Sequence, residues 1–581
     1  YRWTTTLSYT IPFANTDHSA TILAGNEVLN SESTTTKITG KYYPSAFTMD
    51  QAFGMLDMTG VNSTGAKEDT FSNVIAIPSN TLSWFGRANY SYKGRYLFSA
   101  SLRADGSSKF APNNHWGYFP AASAAWRISD ESFMEGTKSW LDDLKLRFSY
   151  GASGSDNIDP SLWKETWTTK VITVDGVKQT SYVPGDMLSN PDLKWETTAT
   201  TDIGLDMGFF DNRLTAEIDY YRKNTTDILY TPTIYMTMGE VSGVPSNLGS
   251  VVNKGVELAL NWKSRIGKDF SYYAGVNFSY NKNRVTRFKG DLVKTWTDGV
   301  YTNNLSDVTA GYGSGKLCEG HALGEHYLRR LYKGNGRGYR GGAVDVNAGP
   351  KDGMIRTQQD FEWVQAMLET GYTFNGVTAL SKDQLWYGDL IYADRNGNGN
   401  YGDDNDMDFN GRTSTPSYNL GVNLGFAWKG LDFNMTWSGA FDYYIIWNAL
   451  YYNGTQTTNG HGISERVADN HYFFDPENPA DARTNLKGAY PRLTFGTPGD
   501  NRQASEFYEY KGDYLKLKNV QIGYTLPSRI TKKFYVQQLR FFVSGENLLT
   551  ITDYPGLDPE KGSAIGYPLM RSVTFGAQIT F

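Results

Sequence analysis

The feature that most constrains this chain is a two-residue alternation of apolar and polar side chains, repeated along its length. Leu144, Leu146, Phe148 and Tyr150 interleave Lys145, Arg147 and Ser149. Ile203, Leu205, Met207 and Phe209 interleave Asp202, Gly204, Asp206 and Gly208. Val256, Leu258, Leu260 and Trp262 do the same, as do Tyr418, Leu420, Val422, Leu424, Phe426 and Trp428. A period of two is the signature of a strand whose faces meet different environments. Aromatic residues recur at the strand ends, where a membrane–water interface favours rings with wet tips.

A soluble sandwich alternates too, so the connections decide between the two readings. Read back from Phe581, they alternate short and long. Short ones fall at 13–16, 93–94, 130–140, 210–213, 264–270, 429–430 and 527–536. Long ones fall at 29–80, 105–115, 151–196, 223–253, 282–417, 443–510 and 550–570. Outer-membrane barrels have short periplasmic turns and long external loops. The expected fold is therefore all-β, a transmembrane antiparallel β-barrel. The alternation predicts 14 strands, and about 16 if candidates near 319–333 and 384–394 join them. In 514–526 the phase slips between Leu515, Leu517 and Val520, Ile522, Tyr524, which predicts a bulge near Asn519. Residues 1–581 then form one barrel portion, with 282–417 and 443–510 as its two large external loops.

Composition excludes the alternatives. No run approaches the ~18 apolar residues of a membrane helix, and hydrophobic residues are only 39% of the chain. Net charge is −6, which carries no nucleic-acid signal. The single cysteine, Cys318, has no intrachain partner. The chain begins at Tyr1, as expected where an export signal has been removed. The strand at 3–12 needs a partner, because an open sheet edge cannot face lipid. Closure on 571–581 and further strands on an N-terminal stretch are both open at this point.

Few residues suggest bond chemistry. There is no G-x-S-x-G elbow, and the Gly runs at 311–316 and 334–342 lack phosphate-loop spacing. His321 and His326 would sit on opposite faces of a strand. The strongest local motif is Asp394-Arg395-Asn396-Gly397-Asn398-Gly399-Asn400. It matches the opening of a calcium loop, which supplies oxygens from alternate positions and needs Gly for the turn. Asp394, Asn396, Asn398, the Asn400 carbonyl and Asp406 form the expected ligand set of a structural calcium. A hydrated Asx turn is the competing reading. Arg103, Asp105, Lys109, Trp195 and Glu196 are expected at the external rim. Tyr301, Tyr312, Trp386, Tyr387, Tyr451 and Tyr452 are candidates for stacking on sugar rings. Phe581, a terminal aromatic on an alternating strand, fits a signal for outer-membrane assembly.

Several long runs carry a family resemblance. They are FGRANYSYKGRYLFSASLRADGSSKF (85–110), WGYFPAASAAWRISDESF (116–133), YLKLKNVQIGYTLP (514–527) and RSVTFGAQITF (571–581), among others spread over the chain. The chain resembles the SusC/RagA-like TonB-dependent outer-membrane transporters. The resemblance implies a barrel of ~22 strands with a plugged lumen. It implies an N-terminal plug and barrel segment that this chain lacks, and through that segment contact with the TonB-ExbB-ExbD system. It further implies a SusD-like surface lipoprotein as lid, and oligosaccharide or oligopeptide cargo. The expected function is energised import across the outer membrane of a Gram-negative bacterium, with no catalytic cofactor and no enzymatic activity. A passive porin is the alternative.

Overall fold

The computed structural model of the protein describes residues 1–185, 187–230, 244–288, 293–297, 300–304, 319–447, 464–493, 501, 503–563, 566–567 and 569–581. Fifteen strands join into one sheet in chain order. They are β1 (Arg2–Ile11), β2 (His18–Ser31), β3 (Ser79–Tyr92), β4 (Tyr96–Ser107) and β5 (Trp116–Arg127). β6 (Leu141–Ser155), β7 (Glu196–Phe209), β8 (Leu214–Tyr230), β9 (Ser246–Ile266) and β10 (Phe270–Phe288) follow. β11 (Tyr418–Trp428), β12 (Leu431–Phe441), β13 (Tyr514–Thr525), β14 (Gln538–Thr552) and β15 (Ser572–Thr580) complete the order, with β1 and β15 at its two ends.

The sheet corrects the strand count. Fourteen connections join fifteen strands, and β10 pairs directly with β11. The segments at 319–333 and 384–394 therefore contribute nothing to the wall. Glu325–Arg329 is a strand, but it pairs with Met407–Thr413 in a separate ladder. Residues 384–394 make only isolated bridges, such as Leu331 to Tyr392. Their apolar runs serve a compact loop core instead. An odd number of antiparallel strands also leaves β1 and β15 running parallel, so the antiparallel ladder cannot close by joining them.

Register follows the alternation. Between β10 and β11, Tyr272 faces Phe426, Val276 faces Val422 and Tyr280 faces Tyr418, while Gly275 faces Asn423 and Ser279 faces Asn419. A one-residue slip would send every apolar side chain to the polar face, so patterning holds the register. On the lipid side the rings form two belts. Phe270, Phe426 and Phe433 stack at the short-turn end, with centroids 6.0 and 5.4 Å apart. At the other end Tyr280 and Tyr418 lie 4.9 Å apart. The slip in β13 is the expected bulge: Leu517 pairs with Trp437 and Asn519 with Thr436, leaving Lys518 as the extra residue.

Long connections fall at one end, the external one in barrels of this kind. Length alone is an imperfect guide, because the 128–140 turn, which holds two 3-10 turns, outruns the 108–115 loop. Two compact units divide the chain. The first comprises Tyr1–Ala125, Ser149–Thr200 and Thr225–Gly249, and it holds two hairpins outside the wall, Thr34–Thr39 with Thr70–Ile75 and Trp167–Val174 with Val177–Pro184.

The second unit comprises Trp126–Phe148, Thr201–Asn224 and Ser250–Phe581, and it holds a folded loop body. At its centre is a helix, Gln358–Glu369. Thr357 and Asp360 start the helix with a reciprocal capping box, which satisfies otherwise orphaned amides. Trp363, Val364 and Met367 are fully buried against Tyr392 and Tyr472. Each such side chain contributes roughly 1.5–3 kcal/mol of transfer free energy. Tyr472, Phe474 and Phe507 belong to the second long connection, so they share one core with residues 331–401 of the first. The run at 334–342 is not free chain either: Gly336 N–H donates to the Gly349 carbonyl and Gly349 N–H to that of Arg337.

Candidate functional site

The polar face of the wall carries matched charges. Lys145 donates to Asp206 at 2.7 Å, and Arg147 bridges Asp206 and Asp219 at 2.7 and 2.9 Å. Arg540 grips Asp432 through two bonds of 2.9 and 2.5 Å. These residues sit in the phase opposite to the apolar belts, so the face they line is a watery lumen rather than lipid.

A cavity of about 750 Å³ opens where β11, β12 and β13 meet the long connections. Asn419, Ala440 and Tyr514 reach it in the lumen phase, and His326, Ser414, Tyr443 and Glu560 reach it from the connections. Its size lies within the ~300–1,000 Å³ of ordinary ligand pockets. The groups are well positioned. Tyr443 Oη donates to the Pro559 carbonyl at 3.2 Å, and Tyr514 Oη to Glu560 at 3.1 Å. Burial pushes the Glu560 carboxyl up, but bonds from Lys516 and Lys518 outweigh this and hold it below the ordinary carboxylate range. The cavity is thus lined by a carboxylate already bonded to two lysines, by hydroxyls, by the Asn419 amide and by an imidazole whose two nitrogens are engaged.

One wall of the cavity is a Ser–His–Glu chain. His326 Nε2 lies 2.8 Å from Ser414 Oγ, and Nδ1 lies 2.6 Å from Glu509 Oε1. The order resembles a hydrolytic triad, but Glu509 has further partners. Arg412 donates to it at 2.5 Å and Asn410 at 2.7 Å. A guanidinium already balances that carboxylate, and the cluster fastens three chain segments together. No sequence pattern links residues 183 positions apart, which is why the pairing of His326 with Glu509 is not legible in the sequence.

The other expected sites fall out as follows. Arg103 bonds Asp105 at 2.7 Å and Ser83 at 2.9 Å, forming a rim network with Glu27. Lys109 donates to the Asp156 carbonyl, and Trp195 Nε1 to that of His115. Glu196 accepts from Leu229 N–H. Tyr387 is too buried to serve as a sugar platform, whereas Trp386 is only partly buried. Both pack on Phe361, Tyr387 face to face at 4.4 Å, and Tyr387 is 3% exposed. The side chain of Tyr301, and Cys318, Tyr312, Tyr451, Tyr452 and the 311–316 run, lie outside the described residues. His321 stacks on Phe409 at 3.9 Å, away from the partners of His326.

The 394–406 loop is tightly hydrogen-bonded. Asp394 accepts from Gly397 and Gly399 N–H, Asn396 from Asn398 N–H, and Asn398 from Asn400 N–H. Asn400 accepts from Thr373 Oγ1 and Gly376 N–H. Gly397 and Gly399 take φ of 75° and 81°, which a Cβ would strain. Asp406 is fully buried and accepts from the N–H groups of Arg395, Asn396, Gly402 and Asp403. Both its oxygens are therefore engaged in holding the loop.

Alternating belts, a charged inner face and long connections at one end define a strand wall of an outer-membrane β-barrel. A family profile described as TonB dependent receptor-like, beta-barrel, matches residues 1–378. The chain belongs to that family. It is 31% identical over 520 residues to TonB-dependent receptor P3 of Formosa agariphila, covering 86% of this chain and 45% of that protein. To TonB-dependent receptor SusC of Bacteroides thetaiotaomicron it is 26% identical over 507 residues, 85% of this chain and 43% of the other. The chain spans about half the length of the curated relatives it matches. Its fold matches the solved RagAB peptide transporter with a TM-score of 0.72 at 22% identity, covering 100% of this chain and 55% of that one.

Proposed function

We propose that this chain is the wall and external loop body of a receptor that imports large polar oligomers across the outer membrane, driven by TonB. Family membership and the lumen-phase cavity at Asn419, Ser414, Tyr443, Tyr514 and Glu560 support this reading, and the cavity carries it. A wall wide enough for oligomers leaks unless gated. The remaining strands and the plug would come from a segment outside this sequence, which would also engage TonB-ExbB-ExbD. Because fifteen antiparallel strands are an odd number, closure needs an odd number more, as 22 would supply. A SusD-like surface lipoprotein would cover the external loops. Oligosaccharides and oligopeptides both suit the cavity chemistry. The structural relative in the RagAB complex is a peptide transporter, and at its low identity it argues for fold rather than cargo.

The test is uptake of labelled oligosaccharides and oligopeptides by cells carrying the complete receptor, with and without TonB. Accumulation that needs TonB and falls when Tyr514 and Glu560 are replaced together supports the reading. Accumulation indifferent to TonB would leave the passive porin standing.

The 394–406 loop is proposed as a weak structural calcium site. Asp394, Asn396, Asn398 and the Asn400 carbonyl would hold the ion, with Asp406 chiefly anchoring the backbone around it. The D-x-N-x-N-G order and the two left-handed glycines support it.

A further inference from the structure

One large cavity among the described residues presents unpaired charge in the lipid phase of the wall. About 1140 Å³ in volume, it is built on the outer ends of β8, β9 and β10 and edged by residues 319–322, where Gly320 N–H and the His321 carbonyl pair with Val285. Four cationic side chains line it: Arg222, Lys254, Lys282 and Arg284. All four are exposed, and among the described residues none forms an ion pair. Two carboxylates share the space. Glu325 is taken up by the N–H groups of Ala322 and Gly411 and by His321, and Glu319 has its own interactions.

The strand phase places these cations. On β10, Phe278 and Tyr280 face lipid with Leu420 and Tyr418, and Lys282 and Arg284 continue the same phase outward. On β9, Lys254 follows the lipid-phase residues Val256 and Leu258. On β8, Arg222 follows Ile218 and Tyr220, which are exposed on the face opposite to Asp219 and Tyr221. Each first cation stands two residues beyond the aromatic belt or the apolar band, about 7 Å further along its strand. Charge on the lipid phase of a barrel is disfavoured at mid-membrane and tolerated near the interface. Here it is clustered at the external interface, above Tyr220 and Tyr280, where phosphate groups of outer-leaflet lipid lie.

We propose that Arg222, Lys254, Lys282 and Arg284 bind the phosphorylated headgroup of an outer-leaflet glycolipid of the lipid A type, with its acyl chains against the apolar bands of β8–β10. Arg and Lys supply charge-assisted bonds to phosphate oxygens, and the cavity admits a sugar phosphate. The site goes beyond the import reading and stands or falls separately from it. It requires only that the wall sit in an asymmetric outer membrane with its long connections outward.

The experiment isolates the complete receptor from outer membranes and measures bound lipid by native mass spectrometry through detergent exchange. Wild-type protein is also placed in nanodiscs containing phosphorylated lipid A or the same lipid dephosphorylated. The expected result is phosphorylated lipid A retained at least tenfold over the dephosphorylated form. The variant R222Q/K254Q/K282Q/R284Q is expected to retain at least tenfold less, with unchanged heat-modifiable mobility on gels. Equal retention of both lipids by wild type overturns the proposal, as does equal retention by the folded variant. Displacement of the lipid by inorganic phosphate at matched concentration also overturns it, since the site would then take the free anion. If the variant does not fold, the wild-type comparison of two lipids decides alone.

Discussion

Asp389 and Arg492 face each other through two hydrogen bonds, of 2.7 and 2.8 Å, and so lock one long external connection to the other. Asp389 is fully buried and also accepts from Asn501 Nδ2 and Trp386 N–H. Breaking a buried pair on one side strands the other charge and costs about 3–5 kcal/mol. Asp389→Ala should therefore loosen the loop body while leaving the wall intact. Limited proteolysis should cut within 319–417 and 464–513 in the variant, and gel mobility should still report a folded barrel. Unchanged loop protection would contradict the role given to this pair.

Acid should open the same body through Glu509. Burial raises its carboxyl, and the bonds from His326, Arg412 and Asn410 outweigh that, leaving it below its ordinary value of 4.5. A depressed folded value contributes stability that is present above 4.5 and lost as pH falls through the folded value. Protease protection of the loops should decline below about pH 4.5 in the wild type. In Glu509→Gln that step should be smaller, from a lower starting protection.

The wall's two faces should tolerate charge differently. Val422 and Asn423 are neighbours near the middle of β11, in opposite phases. Val422→Arg places a cation in lipid at a cost of about 2–4 kcal/mol, and Asn423→Arg places it in water. Refolding titrations in lipid vesicles should separate the two by that margin, and equal stabilities would count against a membrane wall.

The bulge makes a sharper test of register. Deleting Lys518 restores continuous alternation from Leu515 to Tyr524, whereas deleting Gly421 inverts the phase of half of β11. The first deletion should assemble into a heat-modifiable barrel and the second should not. Assembly of both would mean that patterning does not hold these strands in place.

Calcium content of purified protein, by mass spectrometry of the metal, tests the 394–406 loop with Asp394→Ala as comparison. One equivalent lost in the variant is the expected result. No calcium in the wild type would leave the hydrogen-bonded loop to stand on its own.

The residues that were legible beforehand share a short-range code. Val256 to Trp262 and Tyr418 to Trp428 declare their strand and their two faces, and the phase slip between Leu517 and Val520 announces a bulge near Asn519. The helix at Gln358–Glu369 could have been suspected from the Thr357–Asp360 cap and the apolar spacing of Phe361, Val364 and Met367. The apolar stretches near 319–333 and 384–394 misled because a strand in a wall and a segment in a compact core both need apolar side chains. Tyr387 misled likewise, since aromatic residues are as useful for packing as for stacking on sugars.

Sequence alone determined the wall, because side chains that alternate between lipid and water impose a local period that any strand must respect. Only the tertiary structure decided what the long connections become. The pairing of Asp389 with Arg492 and of His326 with Glu509, and the gathering of four cations beside the aromatic belt, depend on contacts between residues far apart in the chain. Such contacts form where chain closure allows and desolvation rewards them, and they leave no period in the sequence to read.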